Sequence, residues 1–220
     1  MLLIDRLRAE HDRIDPMIGA LRTYVARRSR GEADAADGPR FVAFFRLFAD
    51  QFHHAREEGV LFPALVRELD LPADHGPIAA ITGDHVRMRA WFGEIAALLG
   101  APLDPGSSER LVRSTAEWSR ALWLHIDAEN SVLFPECEDR LSRAGVFELE
   151  ERPPTEDETR AWNDAAALLL RYPPNATEID RELVRGEGCS ICPNFGVSCD
   201  GIEREWWSEQ EWDEFPDRVG

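Results

Sequence analysis

The chain has 220 residues, 44% of them hydrophobic, with 7 Trp and 11 Phe, enough for one domain with a packed core plus an appendage. Its formal net charge of -17 opposes non-specific binding to nucleic acid or anionic membranes, since both would repel it. No stretch approaches the ~18 apolar residues of a membrane span. Met1-Leu2-Leu3-Ile4-Asp5-Arg6 reaches charge before any signal-peptide core, and the 4 Cys are too few for a secreted disulfide scaffold at this length. A soluble, cytoplasmic protein is expected, with no nucleic-acid and no membrane partner.

Helical periodicity dominates the first two thirds, without strand alternation. The first predicted helix covers about 2–29, with a stripe of Ile4, Leu7, His11, Ile14, Ile18, Leu21 and Val25. Pro16 lies inside it and predicts a kink. The second covers about 39–70, after the turn Asp37-Gly38-Pro39, and carries Phe41, Phe44, Phe45, Phe48 and Phe52, then Leu61, Phe62 and Leu65. The third covers about 77–100, with Ile78, Ile81, His85, Met88, Phe92, Ile95 and Leu99 on one stripe. The fourth covers about 107–143, with Ser107 or Ser108 as the expected N-cap. Short polar connections between long amphipathic helices imply antiparallel neighbours. The expected fold is all-α, an up-down-up-down four-helix bundle over residues 1–145 with a helical and irregular extension over 146–220.

That extension differs in character. Residues 145–220 hold 19 acidic and 7 basic residues, about -12 of the net charge. A helix is predicted at about 155–171, stopped by Tyr172-Pro173-Pro174, and a shorter one at 176–185. Cys189, Cys192 and Cys199 follow, then an acidic tail with Trp206, Trp207 and Trp212. The cysteine spacing admits a zinc or iron–sulfur site, with Cys137 or an acid as fourth ligand, a Cys189–Cys192 redox disulfide, or plain thiols; plain thiols are slightly preferred. The tail is expected to pack on the bundle, as a lid over its mouth or as a partner-binding surface.

The chemistry rests on an internal repeat. Phe52-His53-His54-Ala55-Arg56-Glu57-Glu58-Gly59-Val60-Leu61-Phe62-Pro63 aligns without gaps with Leu124-His125-Ile126-Asp127-Ala128-Glu129-Asn130-Ser131-Val132-Leu133-Phe134-Pro135. The shared pattern, His-x-x-x-Glu-x-x-Val-Leu-Phe-Pro, falls once on helix two and once on helix four. Residues four apart share a helix face, so each His–Glu pair can reach one metal ion or two close ones. His11 and His85 sit singly on the apolar stripes of helices one and three. The bundle would therefore aim His11, His53, Glu57, His85, His125 and Glu129 at its axis. His54 and Glu58 share the four-residue spacing but are rotated by about 100° on an α-helix. Ile126 and Asn130 replace them in the repeat, which assigns them to an outer shell or to solvent.

A lone histidine on an apolar face is ordinarily a hydrogen-bonded core residue, and a lone His-x-x-x-Glu ordinarily a wet helix face. Histidines on four helices, two with a glutamate partner in a repeated motif, outweigh that reading, because buried glutamates without a cation are costly. Mixed nitrogen and carboxylate donors suit iron, and less well manganese or zinc.

These residues resemble the hemerythrin-like family of His/His/Glu cation-binding four-helix bundles. The match covers about residues 1–145, through Glu10-His11, His53-x-x-x-Glu57 with Leu61-Phe62-Pro63, Asp84-His85 with Arg89, and His125-x-x-x-Glu129 with Leu133-Phe134-Pro135. The resemblance implies two iron ions with an oxo or hydroxo bridge, Glu57 and Glu129 bridging, and His11, His53, His85 and His125 terminal. Oxygen-carrying members look like five-histidine sites, with a second histidine four residues from the one on helix three; here those positions are Ile81 and Arg89. His75 is too near the start of helix three to fill the gap. One fewer imidazole leaves a position for O2, peroxide or NO and favours redox turnover over reversible carriage. The expected function is oxidoreductase chemistry on a small substrate held between bundle and extension; the alternative is an O2, NO or iron sensor, or an iron-centre repair module, without turnover.

Overall fold

The computed structural model describes residues 1–174, and among these all regular structure is helical. The expected helix at 176–185, the Cys189, Cys192 and Cys199 segment and the Trp206, Trp207 and Trp212 tail lie outside the described residues. The first helix, Leu2–Arg28, runs through Pro16 and buries the expected stripe from Ile4 to Val25.

The second helix begins already at Asp37, two residues before the expected start. It is α-helical over Asp37–Ala43, π-helical over Phe44–His54 and again over Glu57–Leu61, and α-helical over Phe62–Leu69. The third helix, Gly76–Leu99, is entered through an extended His75 and a Gly76 with φ of 65°, a left-handed position that suits glycine. The fourth is Pro105–Ala128, a π-helical turn Glu129–Leu133 and Phe134–Arg143. Its N-cap is Asp104, neither Ser107 nor Ser108: the Asp104 carboxylate accepts from the Ser107 backbone N–H and the Ser107 hydroxyl accepts from the Asp104 N–H. Pro105 at the first helical position explains the shift, because it has no N–H to cap and its φ suits a helix start.

The fourth helix packs against the first and third. A fifth helix, Glu156–Arg171, opens on a Thr155–Glu158 capping box. It lies over the π-helical part of the second helix and beside the first, and contributes Ala161, Ala165 and Leu168 to the core. No helix among the described residues is long and apolar enough to cross a membrane.

The core consists of two apolar clusters. On each of the first four helices the functional residues sit between them. His11 lies between Leu7 and Ile14, His53 and Glu57 between Phe52 and Leu61, His85 between Ile81 and Met88, and Glu129 between Ile126 and Leu133. A polar layer is thus closed off from water above and below.

The fifth helix is anchored at its end by Asp37. This buried carboxylate accepts from the Tyr172 hydroxyl at 2.7 Å, from Arg171 at 2.5 Å and from Arg40 at 3.0 Å. Burial alone would push its pKa up, but those donors outweigh burial and hold it below the usual 3.8. A depressed carboxylate contributes stability that is present above its unfolded pKa and lost as pH falls through the lower folded value. Asp37→Asn is therefore expected to cost about 1–3 kcal/mol at neutral pH. The difference from wild type should shrink below pH 3.8, as read by urea unfolding at a series of pH values; a pH-independent difference would argue against this ionic anchor.

Candidate metal centre

Six side chains from four helices converge in the polar layer. The His11 and His53 Nε2 atoms face each other at 2.9 Å, and those of His85 and His125 at 3.1 Å. Glu57 spans the two pairs, with Oε1 3.5 Å from His53 Nε2 and Oε2 3.5 Å from His85 Nε2. Glu129 does the same: Oε2 lies 3.3 Å from His11 Nε2 and Oε1 3.2 Å from His125 Nε2. Each carboxylate thus offers one oxygen to a first position, between His11 and His53, and one to a second, between His85 and His125.

The outward ring nitrogens face polar groups of neighbouring helices. His53 Nδ1 meets Glu10 at 2.8 Å, His85 Nδ1 meets Glu58 at 2.8 Å, and His11 Nδ1 meets the Asn130 side-chain oxygen at 2.9 Å. His125 Nδ1 lies 3.6 Å from Asp84. An imidazole that donates from Nδ1 to such an acceptor presents a bare lone pair at Nε2. Held in this way, His11, His53 and His85 aim Nε2 lone pairs inward, where Glu57 and Glu129, both fully buried, have no hydrogen-bond partner for any carboxylate oxygen among the described residues. Lone pairs facing one another at these distances repel, and a buried unpaired carboxylate is costly. Cations between them resolve both conflicts, so the donor set fits metal ions.

The titration behaviour without a cation reflects the same crowding. Burial, then the charge of Glu129, pushes the Glu57 carboxyl well above its usual range. Burial likewise opposes charge on Glu129, but the His125, His11 and His85 imidazoles outweigh it and hold Glu129 low. Burial lowers the His53 pKa well below that of a free imidazole, whereas the Glu129 and Asp84 carboxylates overcome burial at His125 and hold its pKa at about 9.

The Phe of each repeat packs on the histidine of a neighbouring helix. Phe134 stacks on His11 with ring centroids 5.5 Å apart, and Phe62 on His85 at 6.4 Å. The four outward acceptors also form a cycle, in which the acid preceding a single histidine serves the next helix. Glu10 serves His53 and Asp84 serves His125, while Glu58 and Asn130, equivalent in the repeat, serve His85 and His11. The acidic residue before each single histidine was the available sequence signal for two of these roles.

All six predicted donors come together. Glu58 lies in the outer shell as expected, shared between His85 and Arg89. His54 does not fit its expected place outside. It is buried, its ring is stacked on His85 with centroids 4.0 Å apart and 14° between planes, and a ring nitrogen lies within 4.8 Å of ligand atoms of His85 and His125. The physical reason is the π-helix, whose i→i+5 geometry turns each residue through less than the ~100° assumed for an α-helix, so neighbours 53 and 54 both face inward. His75 is half exposed and paired with Asp74, and Arg89 binds Asp50 and Glu58 at the surface. Cys137 lies in the cluster that contains Leu61 and Leu133, where burial pushes its thiol up.

A cavity of about 350 Å³ opens beside the second position, lined by Phe45, Met88, Phe92, Trp118 and Leu122, with Asp50, Arg89 and His54 at its polar end. Its walls come from the second, third and fourth helices, and no described residue of the extension lines it. The expectation of a substrate site between bundle and extension is not met by this cavity.

Comparison with curated proteins and with solved structures gives no match. The family model of the Hemerythrin HHE cation binding domain matches residues 2–137, a stretch that contains every one of the six converging donors and both copies of the repeat. The chain is a member of the hemerythrin HHE cation-binding family.

Proposed function

We propose that His11, His53, Glu57, His85, His125 and Glu129 hold two iron ions, with Glu57 and Glu129 bridging, and that the protein oxidises a small apolar substrate at the expense of O2 or peroxide. The observation that carries the reading is the pairing of this nitrogen–carboxylate set with an apolar cavity that ends beside the second position. Such an ion pair, when bound, exchanges electrons with dioxygen in twos. The chain's own part is to orient four imidazoles through Glu10, Glu58, Asn130 and Asp84, to exclude water with Phe62 and Phe134, and to hold the substrate against Trp118 and Phe92. Iron is favoured over zinc as the redox-active ion: four donors per position would close a tetrahedral zinc, whereas an ion of higher coordination number keeps places for O2.

The test begins with aerobically purified protein, where two irons per chain and near-ultraviolet oxo-to-iron absorption are expected. Anaerobic reduction followed by O2 in the presence of small aromatic or aliphatic compounds should then give oxidised product. A stable, reversible O2 adduct without turnover would count against the oxidase reading.

One observation favours a second reading, a sensor of O2, NO or iron. Arg56, buried, binds both Glu10 and, at 2.5 Å, Glu151 of the segment leading to the fifth helix, while Glu10 holds His53. The extension is therefore wired to one donor of the centre, and occupancy can bias its docking. Limited proteolysis of the extension in metal-free, reduced and oxidised protein distinguishes the readings: identical cleavage in all three removes the sensor.

A further inference from the structure

The cavity beside the second position has a near end and a far end. Phe92 and Trp118 each stand seven residues from the histidine of their own helix, His85 and His125, and Arg46 stands seven before His53. Seven residues make about two helical turns, roughly 10 Å. These three side chains therefore line the cavity at the end away from the centre, while His54 lines it at the near end. The wall at the far end is aromatic: the Trp118 ring lies 5.0 Å from that of Phe45 and 4.8 Å from that of Phe92, centroid to centroid. The Trp118 indole N–H is spent on the Met88 carbonyl at 3.2 Å, so this wall offers a ligand no donor.

The charged groups around the cavity differ in what they have left to give. Asp50 is bound through both carboxylate oxygens by Arg89, at 2.8 and 3.0 Å, and Arg89 also reaches Glu58. Arg46 is exposed and makes no hydrogen bond, ion pair or ring contact with any described residue. Acids thus flank the near end, and an uncommitted guanidinium stands at the far end. An anionic head group is attracted to the one and repelled by the other.

We propose that the cavity takes a planar aromatic monocarboxylate, with its carboxylate on Arg46 and the opposite edge of its ring system toward His54. The inference rests on the oxidase reading above and names its substrate class. The planar guanidinium matches a carboxylate with two N–H donors, and the ring system lies against Phe45, Phe92 and Trp118. The carbon presented to the second position is then the one farthest from the carboxylate. Arg46 sets the choice of head group and holds none of the six metal donors.

Probes of one shape and three charges decide it: 2-naphthoate, 2-naphthamide and 2-naphthamidine. Binding is followed by tryptophan fluorescence and calorimetry, in protein as purified and after chelation of its metal, with helix content read by circular dichroism. Naphthoate should bind about tenfold or more tightly than the amide, and the amidine least. Arg46→Gln should bring naphthoate down to the affinity of the amide and leave the amide where it was; Arg46→Lys should recover part. Ala49→Leu, which builds a larger side chain into the cavity, should weaken acid and amide alike. Nuclear Overhauser contacts in the metal-free protein should join the ring edge beside the carboxylate to Trp118 and the remote edge to His54. If Ala49→Leu loses helix content, these contacts locate the ligand instead. An amide or amidine that binds as tightly as the acid, or no binding of any of them, would overturn the carboxylate class. An acid preference that survives Arg46→Gln would overturn Arg46 as its anchor, and acid binding that vanishes on chelation would put the carboxylate on the ions and overturn the site. Reversed contacts would overturn the orientation. Binding as expected with no oxidation of any aromatic acid would instead sink the oxidase reading and leave the binding site standing.

Discussion

Replacing Glu57 or Glu129 with glutamine is expected to take metal content from two ions per chain to less than one, while the metal-free protein keeps its helix content. The reason is geometric: each carboxylate serves both positions, so one substitution removes an oxygen from each ion at once. Glutamine conserves volume, so no cavity forms in the core. At Glu57 it also removes a carboxylate whose charge burial and Glu129 oppose, so the metal-free fold has little to lose there; at Glu129 it gives up the imidazole pairing and costs the metal-free fold more. Wild-type protein with metal at a hundred times its dissociation constant should gain about 2.7 kcal/mol from one site, and the variants should gain almost nothing. Metal analysis and thermal melts with and without Fe(II) read both quantities. Two ions per chain in Glu57→Gln would show that the carboxylates are not bridges.

Arg56→Met should be the most damaging substitution outside the centre, costing about 3–5 kcal/mol in urea unfolding. Arg56 is only 3% exposed. It donates to Glu10, to Glu151 and, from Nε, to the Phe52 carbonyl at 3.3 Å, with its guanidinium 3.9 Å from the centre of the Phe52 ring. Removing it leaves Glu10 without its cation and Glu151 with Arg6 alone, and the uncompensated charge dominates the loss. Arg56→Lys should recover only part, because a point charge cannot reach both acids and the carbonyl in the planar fork. A loss below about 1 kcal/mol in Arg56→Met would place these pairs among ordinary surface ion pairs and would weaken the link between extension and centre.

Much of this protein was legible in order along the chain. The stripes from Ile4 to Val25 and from Ile78 to Leu99 marked helices one and three because a buried face on a straight α-helix repeats every three or four residues. The His-x-x-x-Glu repeat named four of the six donors because four residues bring two side chains to one face, and the apolar stripes of helices one and three named His11 and His85. Tyr172-Pro173-Pro174 ended the fifth helix through proline chemistry, at the expected place.

What could not be read has equally definite causes. The π-helical register of Phe44–His54 is set by how the second helix packs between its neighbours and the fifth helix, and no local propensity announces it. That register turned His54 inward when α-helical arithmetic turned it out. The Nδ1 acceptors come from other helices, and the docking of the fifth helix over the second joins Asp37 to Tyr172 and Glu151 to Arg56 across more than ninety positions of chain. Local sequence therefore specified which groups carry the chemistry, since spacing and residue type are local quantities. Tertiary packing alone decided that the His54 ring turns inward and which side chains hold the imidazoles, because those contacts join segments that only the assembled bundle brings together.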